Sequence, residues 1–238
     1  MTESAHNAAV NVNEAVASRP LSPSPRFELL LQNNPARAQA ETFIADRYRR
    51  VYNAELNEFL PIIISISQAG ARAAAFGLRP GHYRPMFLEQ YLDSPVEHQV
   101  AALSRQPVDR SSLIEVGNLV VSRKGYGPLL MATLAMSLAA AGYEWMVFTV
   151  TEQVERLMKR LGFYPHRLVL ADPERLTAGK TSWGTYYANK PRVMIGSLAQ
   201  AVTIISNSPQ LCAIAQQCQD QSRDIASALA DYRRLRGE

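Results

Sequence analysis

The chain is poor in cysteine. Cys212 and Cys218 are the two among 238 residues, too few for the disulfide framework of a small secreted domain. They sit six apart on an expected helix, so they point to different faces and make no redox pair. Histidine is scarce too. His6, His82, His98 and His166 share no ligand spacing, and no metal site is expected. Long apolar runs are missing. The longest, residues 129–141, is interrupted by Thr133 and Ser137, whereas a membrane-spanning helix needs about 20 residues. The N-terminus, MTESAHNAAVNVNEAV, lacks the basic start and apolar run of an export signal. Neither sign of charge dominates. Lys and Arg number 25 against 21 Asp and Glu, a net charge of +4. These charges are scattered, which suits an anionic ligand or an acidic partner and gives no nucleic-acid footprint. The sequence reads as a soluble, cytoplasmic protein without a membrane span.

Apolar residues make up 47% of the chain, enough to build a core. Residues 1–25, with the stretch SRPLSPSP, have the composition of a disordered tail. Beyond them RFELLLQ reads as a strand, and apolar residues at helical spacing predict a helix over 36–52. PIIISISQ and ARAAAFGLR, joined through Ala69-Gly70, predict an antiparallel hairpin. The type of segment 86–93 stays open, and Pro95 starts a short helix. SSLIEVGNLVVS is a strand, RKGYG a glycine loop, and 128–141 a strongly apolar helix closed by Gly142. Strand WMVFTV, helix 152–161 with Thr151 placed to cap it, strand FYPHRLVL and strand YYANKPRVMIG follow. Residues 209–236 predict one long amphipathic helix. The order implies a mixed α/β fold: a mostly antiparallel central sheet flanked by helices, with one parallel crossover.

The loop RKGYG joins a strand to a helix. The first amides of a helix lack internal partners, and its dipole adds positive charge there. Arg123, Lys124, Gly125, Tyr126 and Gly127 could therefore hold a phosphate or pyrophosphate. The spacing matches neither a dinucleotide fingerprint nor a Walker loop. Glu115 stands inside the apolar strand. Alternation puts it on one face with Gly117, Leu119 and Val121, and puts Asn118 on the other. A carboxylate there must be paired or used. Glu115 is a candidate base or substrate anchor, or else an ion-pair partner of Arg72, Arg79 or Arg84. A Gln in its place is expected to remove the charge at little cost in stability. Asn118 is a second candidate catalytic residue, for orienting a substrate amide. Trp183, Tyr186 and Tyr187 either pack the core or line an acyl or amine pocket.

The motifs IEVGNLV (114–120), R-K-G-x-G-P-L-L, EWMVFT (144–149) and RLGF (160–163) resemble the GNAT acyltransferase superfamily. With FLEQYLD (87–93), WGTYY (183–187) and PRVMIG (191–196), residues 26–200 resemble the thermostable hemolysin family, itself similar to acyl-homoserine lactone synthases. The resemblance implies an acyltransferase domain over 26–205, followed by the helix of 206–238. It implies that residues 123–127 bind the pyrophosphate of coenzyme A or a phosphopantetheine arm as co-substrate, with no covalent cofactor. The thioester would come from CoA or from an acidic acyl carrier protein, and the acceptor would be a small amine or alcohol. It also implies substrate contacts from Glu89 and Gln90, with Trp183 and Tyr187 lining the pocket. The general acid of many acetyltransferases falls on or near Met158, which cannot donate a proton. An acid from elsewhere, such as Tyr186 or Tyr187, or none, would be needed. A non-catalytic binding or tolerance protein on the same fold is the alternative, and a membrane-lytic protein a third. The apolar stripe of the last helix must pack on its own chain or form a homodimer.

Overall fold

The computed structural model describes residues 24–83, 85–123, 125–177 and 180–235. The expected tail lies outside these residues, except for its last two. Seven strands form one sheet in the order β1-β2-β3-β4-β5-β7-β6. They are β1 (Arg26–Leu30), β2 (Ile62–Gln68), β3 (Ala71–Pro80), β4 (Leu113–Val121), β5 (Trp145–Val150), β6 (His166–Leu170) and β7 (Arg192–Ser197). Every neighbouring pair is antiparallel except β4 with β5, which is parallel. The mixed, mostly antiparallel sheet with one crossover is therefore as the sequence implies.

The crossover is α3 (Tyr126–Ala140), buried on most of its circumference. A helix that apolar all round needs cover on both sides. The sheet covers one. Helices α5 (Leu198–Asn207), α6 (Pro209–Gln217) and α7 (Gln219–Leu235) cover the other. Here the structure corrects the sequence reading twice. The helix α5 was not expected, and the single helix of 209–236 is two, broken at Cys218. Cys218 is buried in the core with Leu211, Ile225, Ala226, Leu229 and Tyr232, so the apolar stripe packs within its own chain.

The opposite face of the sheet has two separate covers. Helix α1 (Arg37–Tyr52) packs over β2, β3 and β4. A 3-10 stretch at Phe87–Tyr91 and helix α2 (Val96–Ser104) bury Met86, Leu88, Tyr91, Val96 and Val100 against Leu113, Val147, Val193 and Ile195. Segment 86–93 is thus 3-10 helix and turn. Glu89 fixes it: its carboxylate accepts the amides of Met86 and Val96, and it pairs bidentately with Arg110 at 2.7 Å per bond. Helix α4 (Glu152–Arg160) follows β5. A gap remains between the two covers, above the line where β4 and β5 meet.

Candidate functional site

β4 and β5 pair only from Leu113 with Trp145 to Val116 with Phe148. Beyond that point they part. β4 continues along β3 to Val121, and β5 along β7 to Val150. The register of β3 with β4 slips by one between Ala75–Val120 and Gly77–Gly117, so Asn118 and Leu119 stand opposite the single Phe76. Asn118 adopts φ +50°, the left-handed conformation found in bulged strands and tolerated by Asn. Gly77 and Gly117 face each other beneath Leu60. An added Cβ on Gly77 would lie 2.8 Å from the Leu60 Cβ, so this approach requires glycine. The Asn118 side chain accepts the Leu60 amide at 3.0 Å.

The bulge changes the expected faces. Below it, Ile114 and Val116 face α3. Above it, Leu119 and Val121 do so too, while Val120 turns to the α1 side. Asn118 is consequently not opposite Glu115: both line one outer chamber of about 450 Å³. Arg79, Phe87, Gln90, Tyr91 and Trp183 also line it, with Glu55, Asn57 and Glu58 along one side. A smaller inner chamber of about 70 Å³ opens between the parted strands and runs toward α3 and α4. Its walls are Leu130, Met131, Leu134, Met146, Phe148, Val154 and Met158, with Tyr52 and Thr151. Tyr48, Val116, Gly117, Asn118, Thr149 and Tyr186 line both chambers. The sheet is thus open from one face to the other at this waist.

Glu115 is buried, with 3% of its surface exposed. Its two oxygens accept the amides of Leu88 and Phe87, each at 2.9 Å. Of the three arginines considered from sequence, Arg84 lies outside the described residues; of the other two it is Arg79 that pairs with Glu115, at 3.6 Å and directly across from it on β3. Burial pushes the Glu115 carboxyl above its usual range, against the pull of Arg79 and the two amides. A pocket carboxylate with that shift is suited to taking a proton. Its hydrogen bonds also mean that Gln is no neutral replacement, since a Gln offers only one acceptor oxygen to two amides.

The other expected residues separate into two groups. Gln90 and Trp183 line the outer chamber. The Gln90 carboxamide oxygen accepts from the amide and the hydroxyl of Thr177. Glu89 and Tyr187 line neither chamber. Glu89 is held at about pKa 2: burial raises it, and Arg110 with the Val96 and Met86 amides outweighs that. The Tyr187 hydroxyl bonds that of Tyr91 at 2.6 Å. Around it Phe87, Tyr91, Trp183, Tyr186, Tyr48 and Tyr52 form a continuous ring cluster. Arg123 and Tyr126 both donate to the Gln68 side chain, at 2.9 and 2.5 Å. Gly125 takes φ +84° at the start of α3. Lys124 lies outside the described residues. Gly127 seats the turn against α4, where an added Cβ would meet Leu157 at 2.8 Å.

Sequence reasoning missed Tyr52, Thr149 and Thr151 as cavity residues. It had placed Thr151 as a helix cap, but its side chain makes no capping bond. Tyr48 and Tyr52 carried a weak signal in their spacing of four along α1, which puts both rings on one face. Among the described residues no group of three or more His, Cys, Asp or Glu is arranged to hold a metal.

The sequence profile of the thermostable hemolysins matches residues 30–202. No curated protein matches the chain in sequence. Among solved structures, FeeM, an N-acyl amino acid synthase from uncultured soil microbes, superposes with a TM-score of 0.53 at 11% identity, over 76% of this chain and 95% of that one. BjaI, a CoA-dependent acyl-homoserine lactone synthase with SAM and isopentyl-CoA, gives 0.52 at 13% identity, over 82% and 99%. At such identities the likeness establishes the fold, which is that of GNAT-like acyltransferases.

Proposed function

Since the chain belongs to the thermostable hemolysin family and has a GNAT-like acyltransferase fold, we propose that it binds an acyl thioester and transfers the acyl group to a small amine. The observation that carries this is the opening between β4 and β5, with an apolar chamber on one side and a polar, carboxylate-bearing chamber on the other. In this reading the phosphates of CoA or of a carrier-bound pantetheine rest on residues 123–127. The thioester lies at the waist, and the acyl chain enters the inner chamber among Leu130, Leu134, Met146 and Phe148. The acceptor occupies the outer chamber. Glu115, with Glu55 and Glu58 nearby, suits a cationic amine, and Glu115 takes the proton as nitrogen attacks. Asn118 and the backbone of its bulge orient the thioester carbonyl and stabilise the oxyanion.

Met158 favours a second reading. It lines the inner chamber on α4, and a thioether supplies no proton. A protein that holds the thioester without transferring it would tolerate such a residue. Titration with acyl-CoA and with acyl carrier protein, followed by release of free thiol on adding a panel of amines, separates the two. Tight binding with thiol release supports transfer. Binding without release supports the second reading, and absence of binding to either donor overturns both. As for a lytic role, none of the helices among the described residues is long and apolar enough to cross a membrane. Leakage of liposomes by the purified protein would test it directly.

A further inference from the structure

Acyl transfer from a thioester expels a thiolate, and Met158 cannot protonate it. Tyr52 stands in the same chamber. It is the last residue of α1, and its side chain lines the inner chamber with Thr151, Val154 and Met158. Three features hold it there. Its ring packs against Tyr48 and Tyr186, with centroids 5.6 and 5.3 Å away. Its carbonyl accepts the Thr185 amide at 2.7 Å. Gly184, at φ +52°, comes so close that an added Cβ would lie 2.1 Å from the Tyr52 oxygen. The fourth feature is chemical. Thr151 is the N-cap residue of α4, where Thr hydroxyls commonly accept a helix amide. It makes no such bond; it is buried and lines the inner chamber with Tyr52, where it draws the pKa of the Tyr52 hydroxyl downward against the effect of burial. A buried cap hydroxyl that makes no bond to its helix is placed to act within the chamber instead.

We propose that Tyr52 is the general acid of this site, with Thr151 its positioning partner, taking the place that Met158 leaves without a donor. This rests on the acyltransferase reading above. The amine nitrogen attacks the thioester carbon, and a C–N bond forms while the carbonyl pair moves to oxygen. When the carbonyl re-forms, the C–S bond breaks with its electron pair on sulfur. The Tyr52 O–H gives that sulfur its proton. The ammonium proton of the acceptor goes to Glu115, and the phenolate regains a proton from water. Burial raises the Tyr52 hydroxyl above its ordinary range, with Thr151 and Arg47 pulling the other way, so the acid is protonated at neutral pH. The other titratable groups packed on it, Tyr48 and Tyr186, are neutral there as well.

The test compares two thioesters of one acyl group: acyl-CoA, whose alkyl thiolate needs a proton, and an S-aryl thioester, whose thiolate leaves without one. In Tyr52→Phe, kcat with acyl-CoA should fall by roughly a hundredfold, the usual share of a general acid. The affinity for acyl-CoA should stay the same, and the S-aryl thioester should react within a few-fold of wild type. Thr151→Val should show a smaller loss with the same dependence on leaving group. Full acyl-CoA activity in Tyr52→Phe, or equal losses with both thioesters, overturns the assignment. So does the same selective loss in Tyr186→Phe in its place. Wild-type protein that binds acyl-CoA yet acylates no amine overturns the acyltransferase reading itself, and the acid with it.

Discussion

Glu115 and Arg79 are direct cross-strand partners on β4 and β3, yet their charged groups stand 3.6 Å apart, and both line the outer chamber. The carboxylate is bound more closely by two backbone amides than by its counter-ion. Its surroundings therefore bear on stability as well as on the chemistry proposed for it. Glu115→Gln leaves either Phe87 or Leu88 with an amide facing an NH2 group. A buried donor without a partner costs about 1–3 kcal/mol, and at this chain length each kcal/mol lowers Tm by roughly 2–4 °C. The variant should melt several degrees lower and lose turnover. Calorimetry with a thiol-release assay checks both, and unaltered turnover would remove Glu115 from the chemistry.

Glu89 should dominate the acid side of the stability profile. Its folded-state pKa of about 2 lies below the ordinary 4.5. The unfolded chain thus binds its proton first as pH falls. The stabilisation is complete above about pH 4.5 and disappears as pH drops through about 2. Glu89→Gln should be less stable at pH 7, and its Tm should fall less steeply than that of wild type between those pH values.

Arg123→Ala combined with Lys124→Ala should weaken binding of CoA or phosphopantetheine without changing the fold. Charge-assisted contacts are worth about 1.5–3 kcal/mol each, so the affinity should drop by more than tenfold. Titration calorimetry reads the affinity and circular dichroism the fold. Unchanged affinity would show that the 123–127 turn supplies no cation to the phosphates.

A chain ending at Ser208 should aggregate as monomers. It would lose the cover that Leu211, Cys218, Ile225, Leu229 and Tyr232 give to α3, and α3 is apolar around most of its girth. Light scattering distinguishes this outcome from a dimer that separates cleanly into monomers. The latter would mean that α6 and α7 join two copies.

The sheet was legible in the sequence because its strands are bounded by glycine, proline and polar turns, and because the α3 crossover is apolar on every side. The site was legible only in part. Glu115 was conspicuous as a lone acid in an apolar strand. Asn118 was given the wrong face, because β4 is apolar on both faces above Gly117 and a one-residue bulge leaves no trace in such a pattern. Arg79 could not be told from Arg72 until cross-strand pairing selected it. Tyr52 is held by the Thr185 amide and shares the chamber wall with Thr151, both more than ninety residues away, and local periodicity holds no such information. The pairing of Glu89 with Arg110, 21 residues on, left no trace in the local pattern.

The two chambers share only six of their lining residues. The inner one draws on α3, β5 and α4, whereas the outer one draws on residues 55–60, the 3-10 stretch near Phe87 and on Thr177, Ser182 and Trp183. These are separate stretches of chain, and the outer set consists mostly of connecting segments, where substitution is least costly to a fold. The molecule is consequently modular at the scale of its site. On the proposed acyltransferase reading, residues of the acceptor side can change without touching the walls of the thioester side.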